Sequence, residues 1–327
     1  MSKPRVAFYW CASCGGCEEA VVDLADGILD VVAAVDIVFW PVALDFKRSD
    51  VEAFPDKHIA VSFINGAIRT SEQLEMVELL RKKSQFVIAF GSCAHMGGIP
   101  GLANMFNREA MMKEVYFNVP SITNDQKIVP QESYKAPEGQ LTLPKLWDTV
   151  KTLDQVIDVD YYLPGCPPPT TIFHEAVKAI LAGKLPPKGT VLAPDEAECE
   201  ECPRRDSKPE KMAIKEFLRP HEVITKPDEC LLAQGLICLG PVTRKGCGSA
   251  CINGNMPCTG CMGPTSHVID FGAKALSATA SVIEAKEDKL IAAVLDKVVD
   301  PVGTFYRYSL PASLMHRHYQ PSADKGK

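Results

Sequence analysis

Short apolar runs alternate with longer amphipathic segments along the first half of the chain. Each run has the length of a buried strand, and each amphipathic segment repeats its apolar residues at helical spacing. Strands that alternate with helices indicate an α/β fold with a parallel, doubly wound sheet. The predicted strands cover residues 6–10, 37–41, 59–64, 86–90 and 159–163. The predicted helices cover residues 18–34 and 170–182. Between them, a further helix is expected to start at Ser71, its N-cap residue.

The pattern changes after Gly183, which is expected to end the third helix. Residues 184–189 have the composition of a linker, and from 199 to 264 Cys, Gly and Pro dominate with weak periodicity. Such a segment buries little apolar surface, so metal ligation would have to supply its stability. Helical spacing returns over residues 273–299. The predicted domains are a sheet domain, residues 1–183, and a Cys-rich, largely irregular domain, residues 184–327.

The composition excludes two classes of partner. The chain has 327 residues, 46% of them hydrophobic, with a net charge of −6, so it offers no broad basic surface for nucleic acid or an anionic membrane. Its most apolar early stretch, residues 21–40, contains four aspartates and predicts no membrane span. No export segment is visible, so we expect a cytoplasmic protein. In that compartment, thirteen cysteines indicate metal or redox chemistry rather than disulfides.

Four of the cysteines follow predicted strands. Cys14 and Cys17 come after the first strand, Cys93 after the strand at 86–90, and Cys166 after the last one. Sites in open α/β sheets form outside the carboxyl ends of the strands, so these four thiols are expected to meet at one edge. Cys17 also stands at a helix start, where free N–H groups favour an anionic group.

Eight more cysteines lie between Cys199 and Cys261, with a Cys-x2-Cys pair at each end. Two structural zinc sites would use similar pairs and remain the alternative. The dispersed first set favours iron–sulfur clusters, because zinc sites usually hold together local loops. Twelve of the thirteen cysteines form three sets of four, and four thiolates are what one [4Fe–4S] cluster requires. Three clusters in one chain would conduct electrons.

Taken together, these motifs resemble the small subunit of [NiFe] hydrogenases. The resemblance covers most of the chain and keeps the order of the motifs. They are Cys14-Gly-Gly-Cys17-Glu-Glu, Gly91-Ser-Cys93-Ala, Pro164-Gly-Cys166-Pro-Pro, Cys199-x2-Cys202-Pro, Cys238-Leu-Gly-Pro-Val-Thr-Arg-Lys-Gly-Cys247 and Pro257-Cys258-Thr-Gly-Cys261.

The resemblance implies a flavodoxin-like N-terminal domain and three [4Fe–4S] clusters. The proximal cluster would lie beside the Ni–Fe site of a large subunit, and the medial and distal clusters would lie in the C-terminal domain. The implied proximal ligands are Cys14, Cys17, Cys93 and Cys166. The implied distal ligands are Cys199, Cys202, Cys230 and Cys238. The implied medial ligands are Cys247, Cys258 and Cys261, for which Cys251 is the available fourth.

Three differences from the periplasmic members of this family indicate which group of hydrogenases the chain resembles. Cys199 stands where they have a histidine, Cys251 is present where they often have a proline and a three-iron cluster, and an export signal is missing. These features resemble the gamma subunit of the methyl-viologen-reducing, coenzyme F-420-non-reducing hydrogenases of methanogens and related anaerobes. That group implies an iron–sulfur adaptor, or delta, subunit and heterodisulfide reductase as partners.

Several residues keep two interpretations. Cys11, the surplus cysteine, is expected to be a buried thiol, although Cys11-x2-Cys14-x2-Cys17 also has the spacing of a ferredoxin motif. Glu18 and Glu19 are expected to favour a helix start, with proton relay as the alternative. His95 could donate a hydrogen bond to a cluster sulfur or simply pack.

The chain shows no arrangement of bond-breaking residues and no phosphate loop, so we expect no bound nucleotide or flavin. Its predicted role is therefore electron transfer within an oxidoreductase that acts on hydrogen. The alternatives are the proximal-cluster subunit of a complex I-like oxidoreductase, which needs only one cluster, and a zinc-stapled interaction protein. A further alternative is a hydrogenase branch that feeds nicotinamide or deazaflavin.

Overall fold

A computed structural model describes residues 3–285 and 287–316 of the chain. The described residues form nine strands, eleven α-helices and several short helical turns. The strands are β1 Arg5–Trp10, β2 Asp36–Phe39, β3 Ile59–Asn65, β4 Ile68–Thr70, β5 Ser84–Phe90, β6 Ser133–Ala136, β7 Gly139–Thr142, β8 Leu146–Lys151 and β9 Tyr161–Leu163. The α-helices are α1 Gly16–Val22, α2 Gly27–Ala34, α3 Arg48–Ala53, α4 Ser71–Lys83, α5 Ser92–Met96, α6 Arg108–Lys113, α7 Thr170–Leu181, α8 Ala250–Asn253, α9 Phe271–Ala280, α10 Asp288–Asp296 and α11 Pro301–Phe305. The 3₁₀ turns are Ile99–Met105, Leu153–Gln155, Glu198–Glu200, Arg205–Ser207 and Gly240–Val242, and Glu114–Asn118 is a π-helix.

The central sheet has five parallel strands in the order β2-β1-β3-β5-β9, which confirms the predicted α/β class. Alternate residues of each strand face opposite sides, so the sheet buries an apolar core on each face. One core centres on Phe63, Phe90 and Phe173, whose ring centroids are 5.5–5.7 Å apart. The other packs α4 against strand residues such as Ile64 and Val87. The last residues of β1, β3, β5 and β9 pair with one another, so these four strands end at one edge.

Two of the predicted helices are interrupted. The prediction of one helix over residues 18–34 is wrong, because α1 ends at Val22 and the left-handed conformation of Ala25 (φ 50°) separates it from α2. The predicted helix over 273–299 is likewise two helices, α9 and α10, and residues 281–285 between them are not helical. Ala280 and Asp288 bound that interruption.

The predicted cap of α4 is also wrong by one residue. Thr70, not Ser71, is the N-cap, because its side chain accepts from the Gln73 amide while the Gln73 side chain accepts from the Thr70 amide. This reciprocal pair is a capping box. The Ser71 hydroxyl instead accepts from the Lys145 amide at 3.0 Å and joins α4 to the chain before β8.

Residues 184–270 are mostly turns and 3₁₀ segments, as the sequence predicts. Buried Arg244 organises part of them: its guanidinium donates to the carbonyl oxygens of Pro194 (3.0 Å) and Pro264 (3.1 Å) and pairs with Asp195 (2.9 Å). This region also packs on the sheet, since the Ser92 hydroxyl donates to the carbonyl oxygen of Cys261 at 2.5 Å. None of the helices in 3–285 and 287–316 has the length and apolar character to cross a membrane.

Asp160 anchors the opposite edge of the sheet, away from the cysteines. Its buried carboxylate accepts from Arg81 (2.5 Å) and from the Val87 amide (2.8 Å), and pairs with Lys188 (2.5 Å). The Val87 amide thus bonds to the Asp160 side chain instead of a backbone carbonyl, and β9 begins at Tyr161 rather than at 159. Burial by itself would raise the pKa of Asp160, but the bonds from Lys188 and Arg81 outweigh it and hold the pKa below its usual value.

We expect Asp160→Asn to destabilise the protein by about 3 kcal/mol at pH 7, because it leaves Arg81 partly buried without its anion. A carboxyl whose pKa is lower in the folded state stabilises the protein at pH values above its unfolded-state pKa of about 4. This stabilisation is lost as the pH falls further. The difference from the wild type should therefore shrink below pH 4. Anaerobic urea unfolding of both proteins between pH 7 and pH 3 measures it. Exposed Asp158→Asn is the control, and a difference that stays constant over this range would contradict the prediction.

Candidate metal centres

The first four predicted ligands meet at the carboxyl edge of the sheet. Cys14 lies in the loop after β1, Cys17 in the first turn of α1, Cys93 in α5 directly after β5, and Cys166 after β9. Burial raises the pKa of Cys17, and the nearby thiols of Cys93, Cys166 and Cys14 raise it further. Four thiols so close together would repel one another as thiolates, unless cations compensate their charge.

Glycines make room for these thiols. A Cβ atom at Gly91 (φ +85°) would lie 2.3 Å from the Cys17 sulfur, and one at Gly98 (φ +57°) would lie 2.3 Å from the Cys93 sulfur. Real Cβ atoms do not approach so closely, so only glycine fits at either position. The space beside the sulfurs of Cys17 and Cys93 is thus kept free of side chains, which fits a bound cluster.

The surplus cysteine is buried, as predicted. Cys11 is 6% exposed and packs in the core on the α4 face of the sheet with Val51 and Ile64, whereas Cys17 belongs to the core on the other face. Burial alone raises the pKa of Cys11, with no contribution from another cysteine. The structure therefore does not gather Cys11 with the four thiols.

A second set of four, the one matched to the distal cluster, lines one cavity. Cys199, Cys202, Cys230 and Cys238 surround it together with apolar side chains and Gly240. Burial raises the pKa of Cys199 to about 12, and the thiols of Cys238, Cys202 and Cys230 add to the effect. A Cβ at Gly240 would lie 3.4 Å from the Cys199 sulfur and 3.7 Å from that of Cys238. The set fits a four-thiolate cluster.

The third set lies between the other two. Burial raises the pKa of Cys261 to about 12. A hydrogen bond from the Cys166 amide lowers this pKa, and the nearby thiols of Cys247, Cys166 and Cys251 raise it. Burial and the thiol of Cys238 raise the pKa of its set-mate, Cys258, whose amide also donates to the Cys238 sulfur at 3.4 Å. One member therefore borders the first set and another borders the distal one.

Two acidic residues that the sequence reasoning missed adjoin the third set. Glu198, 1% exposed, lies 3.5 Å from the Cys247 sulfur and accepts from the Ser249 hydroxyl at 2.7 Å. Burial raises the pKa of Glu198 to about 7, although the Ser249 bond opposes this. Carboxylate atoms of Glu198 and Glu201 and the Cys247 sulfur lie within 4.8 Å of one another, so this group could hold a metal ion. In the sequence, the run Glu-Cys-Glu-Glu-Cys at residues 198–202 could have indicated that these two acidic residues lie beside the cysteines.

The other singled-out residues have structural contacts. Glu18 is buried and accepts from Trp40 (2.9 Å) and Asn65 (3.0 Å), so it joins α1 to the sheet. Burial raises the pKa of Glu18, against these two hydrogen bonds. The His95 ring packs against Tyr162 with centroids 4.7 Å apart and the ring planes tilted by 41°, and its Nδ1 has no hydrogen-bond partner among the described residues. Burial lowers the pKa of His95 to about 4, so its ring is neutral at pH 7.

Comparison with known proteins points in one direction. The family model described as NADH ubiquinone oxidoreductase, 20 Kd subunit matches residues 14–180. The iron–sulfur subunit of the F420-non-reducing hydrogenase of Archaeoglobus profundus is 41% identical over 320 residues, with 96% of this chain and 98% of the relative covered. A subunit of the F420-non-reducing hydrogenase of Methanothermobacter thermautotrophicus is 38% identical, with 96% of each chain covered.

A solved structure shares the fold. One chain of the [NiFeSe] hydrogenase from Desulfovibrio vulgaris Hildenborough superposes with a TM-score of 0.51 at 18% identity, covering 81% of this chain and 94% of that one. At this identity the likeness concerns the fold alone, and it agrees with the parallel sheet and its helices.

Proposed function

Because the chain belongs to the NADH ubiquinone oxidoreductase 20 Kd subunit family, together with these F420-non-reducing hydrogenase subunits, we propose that it is the electron-transfer small subunit. Its family membership makes it a subunit of an oxidoreductase that acts on hydrogen. Its twelve grouped cysteines would hold three [4Fe–4S] clusters. Each cluster, when bound, would accept and release electrons.

The arrangement of the three cysteine sets carries this proposal. Cys261 of the third set adjoins Cys166 of the first set, and Cys258 adjoins Cys238 of the distal set. These contacts support the order proximal, medial and distal for the three sets. Electrons from hydrogen oxidation would enter near the sheet edge and leave from the distal set, and the chain's own residues would ligate and insulate the clusters.

The all-cysteine ligand sets support a low-potential role. Thiolate ligands make a cluster more anionic than histidine would, and a more anionic cluster is harder to reduce. Cys199 lines the distal cavity, at the position where the periplasmic small subunits have a histidine. Cys251 is near the medial set. We propose that the distal cluster passes electrons to an iron–sulfur adaptor, the delta subunit, and through it to heterodisulfide reductase. A cytoplasmic location and the domain boundary at Gly183 stay predictions from the sequence.

The surface supports a partner subunit. The segment from Phe106 to Leu143 exposes eight large apolar side chains, and its helices α6 and Glu114–Asn118 bury none of their residues. A folded segment without a core of its own is typical of a surface that another chain covers. The large subunit with the Ni–Fe site is the partner that we propose for this chain as a whole.

One alternative keeps an observation in its favour. The family model carries the description of a complex I subunit and matches residues 14–180, which contain only the first cysteine set. A one-cluster subunit would leave the eight cysteines from Cys199 to Cys261 without a role. Their gathering into two further sets favours three clusters.

We expect about twelve irons and as many acid-labile sulfides per chain, because three four-thiolate sets hold three four-iron clusters. The measurement is iron, zinc, nickel and sulfide analysis of the complex purified anaerobically with its natural partners, after the iron of the separated partners is subtracted. Nickel should co-purify with the large subunit.

Two results would contradict this expectation. About four irons per chain, one cluster's worth, would support the complex I-like alternative. Zinc bound without sulfide would leave only the structural, zinc-stapled interpretation.

A further inference from the structure

Arg204 is a buried cation whose acceptors are all neutral. Its side chain, 6% exposed, donates through Nη1 to the carbonyl oxygens of Lys226 (3.2 Å) and Glu229 (3.2 Å). Through Nη2 it donates to the side-chain oxygen of Asn255 (2.7 Å) and to the carbonyl oxygen of Ile252 (3.5 Å). No carboxylate in residues 3–285 and 287–316 forms an ion pair with it. A buried charge without a counter-charge costs several kcal/mol.

The same contacts place Arg204 between two cysteine sets. On one side it lines the distal cavity, its own amide donates to the Cys202 sulfur at 3.4 Å, and one of its acceptors directly precedes Cys230. On the other side its acceptors, Ile252 and Asn255, follow Cys251 in the loop of the medial set. The guanidinium therefore ties the distal loops to the medial loop and holds its positive charge between the sets.

We propose that Arg204 is the shared counter-charge of the distal and medial clusters, and that it makes both of them easier to reduce. The inference rests on the proposed function, since it requires clusters at these two sets. A four-thiolate cluster is anionic, and an added electron increases its negative charge. A fixed cation close by, in a region of low dielectric constant, stabilises the reduced form more than the oxidised form. The clusters in turn supply the negative charge that the guanidinium lacks.

The neighbouring cations differ from Arg204 in exposure. Arg205 is exposed and forms an ion pair with Glu200 at 2.7 Å. Lys208 lines the distal cavity but is exposed. Water and salt screen exposed charges, so each should influence a cluster potential less than a buried charge does. Arg205 thus offers a control for the same change of charge at the adjacent position.

The test compares three variants of the complex, purified anaerobically: Arg204→Gln, Arg204→Lys and Arg205→Gln. Iron and sulfide are counted first, and the reduction of the distal and medial clusters is then followed by EPR during a redox titration. In Arg204→Gln we expect the ratio of reduced to oxidised distal cluster at a fixed potential to fall about tenfold, or ~59 mV for one electron. The medial cluster should shift in the same direction. Arg204→Lys keeps the charge and should stay close to the wild type, as should Arg205→Gln.

The iron count distinguishes failure of the Arg204 proposal from failure of the proposed function. Full iron with unchanged ratios in Arg204→Gln would overturn the role of Arg204 and leave the proposed function standing. An equal shift in Arg205→Gln would overturn it too, because a general surface charge would then explain the effect. If Arg204→Gln does not assemble, the test rests on Arg204→Lys. A tenfold fall in its ratio of reduced to oxidised distal cluster, with the charge retained, would overturn the proposal. A wild-type chain without clusters at the distal and medial sets would refute the proposed function itself.

Discussion

Cys14→Ala is expected to remove about four of the twelve irons proposed for this chain, because a four-iron cluster requires all four thiolates. Cys14 is exposed, so its loss opens no cavity in the core and the effect should be confined to the cluster. Hydrogen-dependent reduction of a viologen dye should fall by more than about 100-fold, since even changes to the outer partners of metal ligands cost 10- to 100-fold. Anaerobic iron analysis and the dye assay on the complex measure both effects.

Cys11→Ala is the matched control, three residues earlier in the chain. Its thiol lies in the core on the other face of the sheet, so the variant should keep all of its iron. The small cavity should destabilise the protein by about 1 kcal/mol. Loss of four irons in this variant, with full iron in Cys14→Ala, would reassign the ligand and overturn the first set as proposed.

The contrast between these two cysteines shows what the sequence could predict. The strands were predictable from apolar runs, and the topology of a parallel sheet then brings together whatever follows the strand ends. Cys14, Cys93 and Cys166 could therefore be grouped although they lie far apart in sequence. Cys11 belongs to β1's immediate end, where alternation along the strand turns it towards the opposite core.

Local detail was less predictable where neighbouring residues have the same chemistry. Thr70 and Ser71 are both good caps, and only the position of Gln73 relative to the turn selects Thr70. Arg204 and Arg205 are identical in sequence terms, yet one is buried and the other is exposed. Which of two equal residues turns inward depends on the packing of distant loops, and spacing contains no information about it.

The division of the eight later cysteines into two sets had the same limit. Spacing permits several partitions, and the partition used came from the resemblance to hydrogenase small subunits. The structure gathers Cys199, Cys202, Cys230 and Cys238 around one cavity, a grouping that the chain reaches only by folding back between distant turns. Glu198 escaped the sequence reasoning because acidic residues beside cysteines are usually solvated, whereas this one is buried against Cys247.

Gly91→Ala is expected to abolish the proposed first cluster without replacing any of its ligands. The new Cβ would lie 2.3 Å from the Cys17 sulfur, and the backbone at this position (φ 85°, ψ 167°) is one that essentially only glycine adopts. Strain alone costs about 1–3 kcal/mol. The contact should also displace Cys17 from the other three thiols, so the variant should contain about four irons fewer than the wild type.

Gly189→Ala separates the contact from the strain. Gly189 also has a positive φ (+86°), but a Cβ there meets nothing within 4 Å. This variant should lose about 1–2 kcal/mol of stability, the cost of left-handed backbone in a residue with a Cβ, and keep all of its iron. The measurements are iron and sulfide content and urea unfolding of both variants under anaerobic conditions. Full iron in Gly91→Ala would show that the space beside the Cys17 sulfur is not needed for the cluster, and equal iron loss in both variants would show that backbone strain, not this contact, controls assembly.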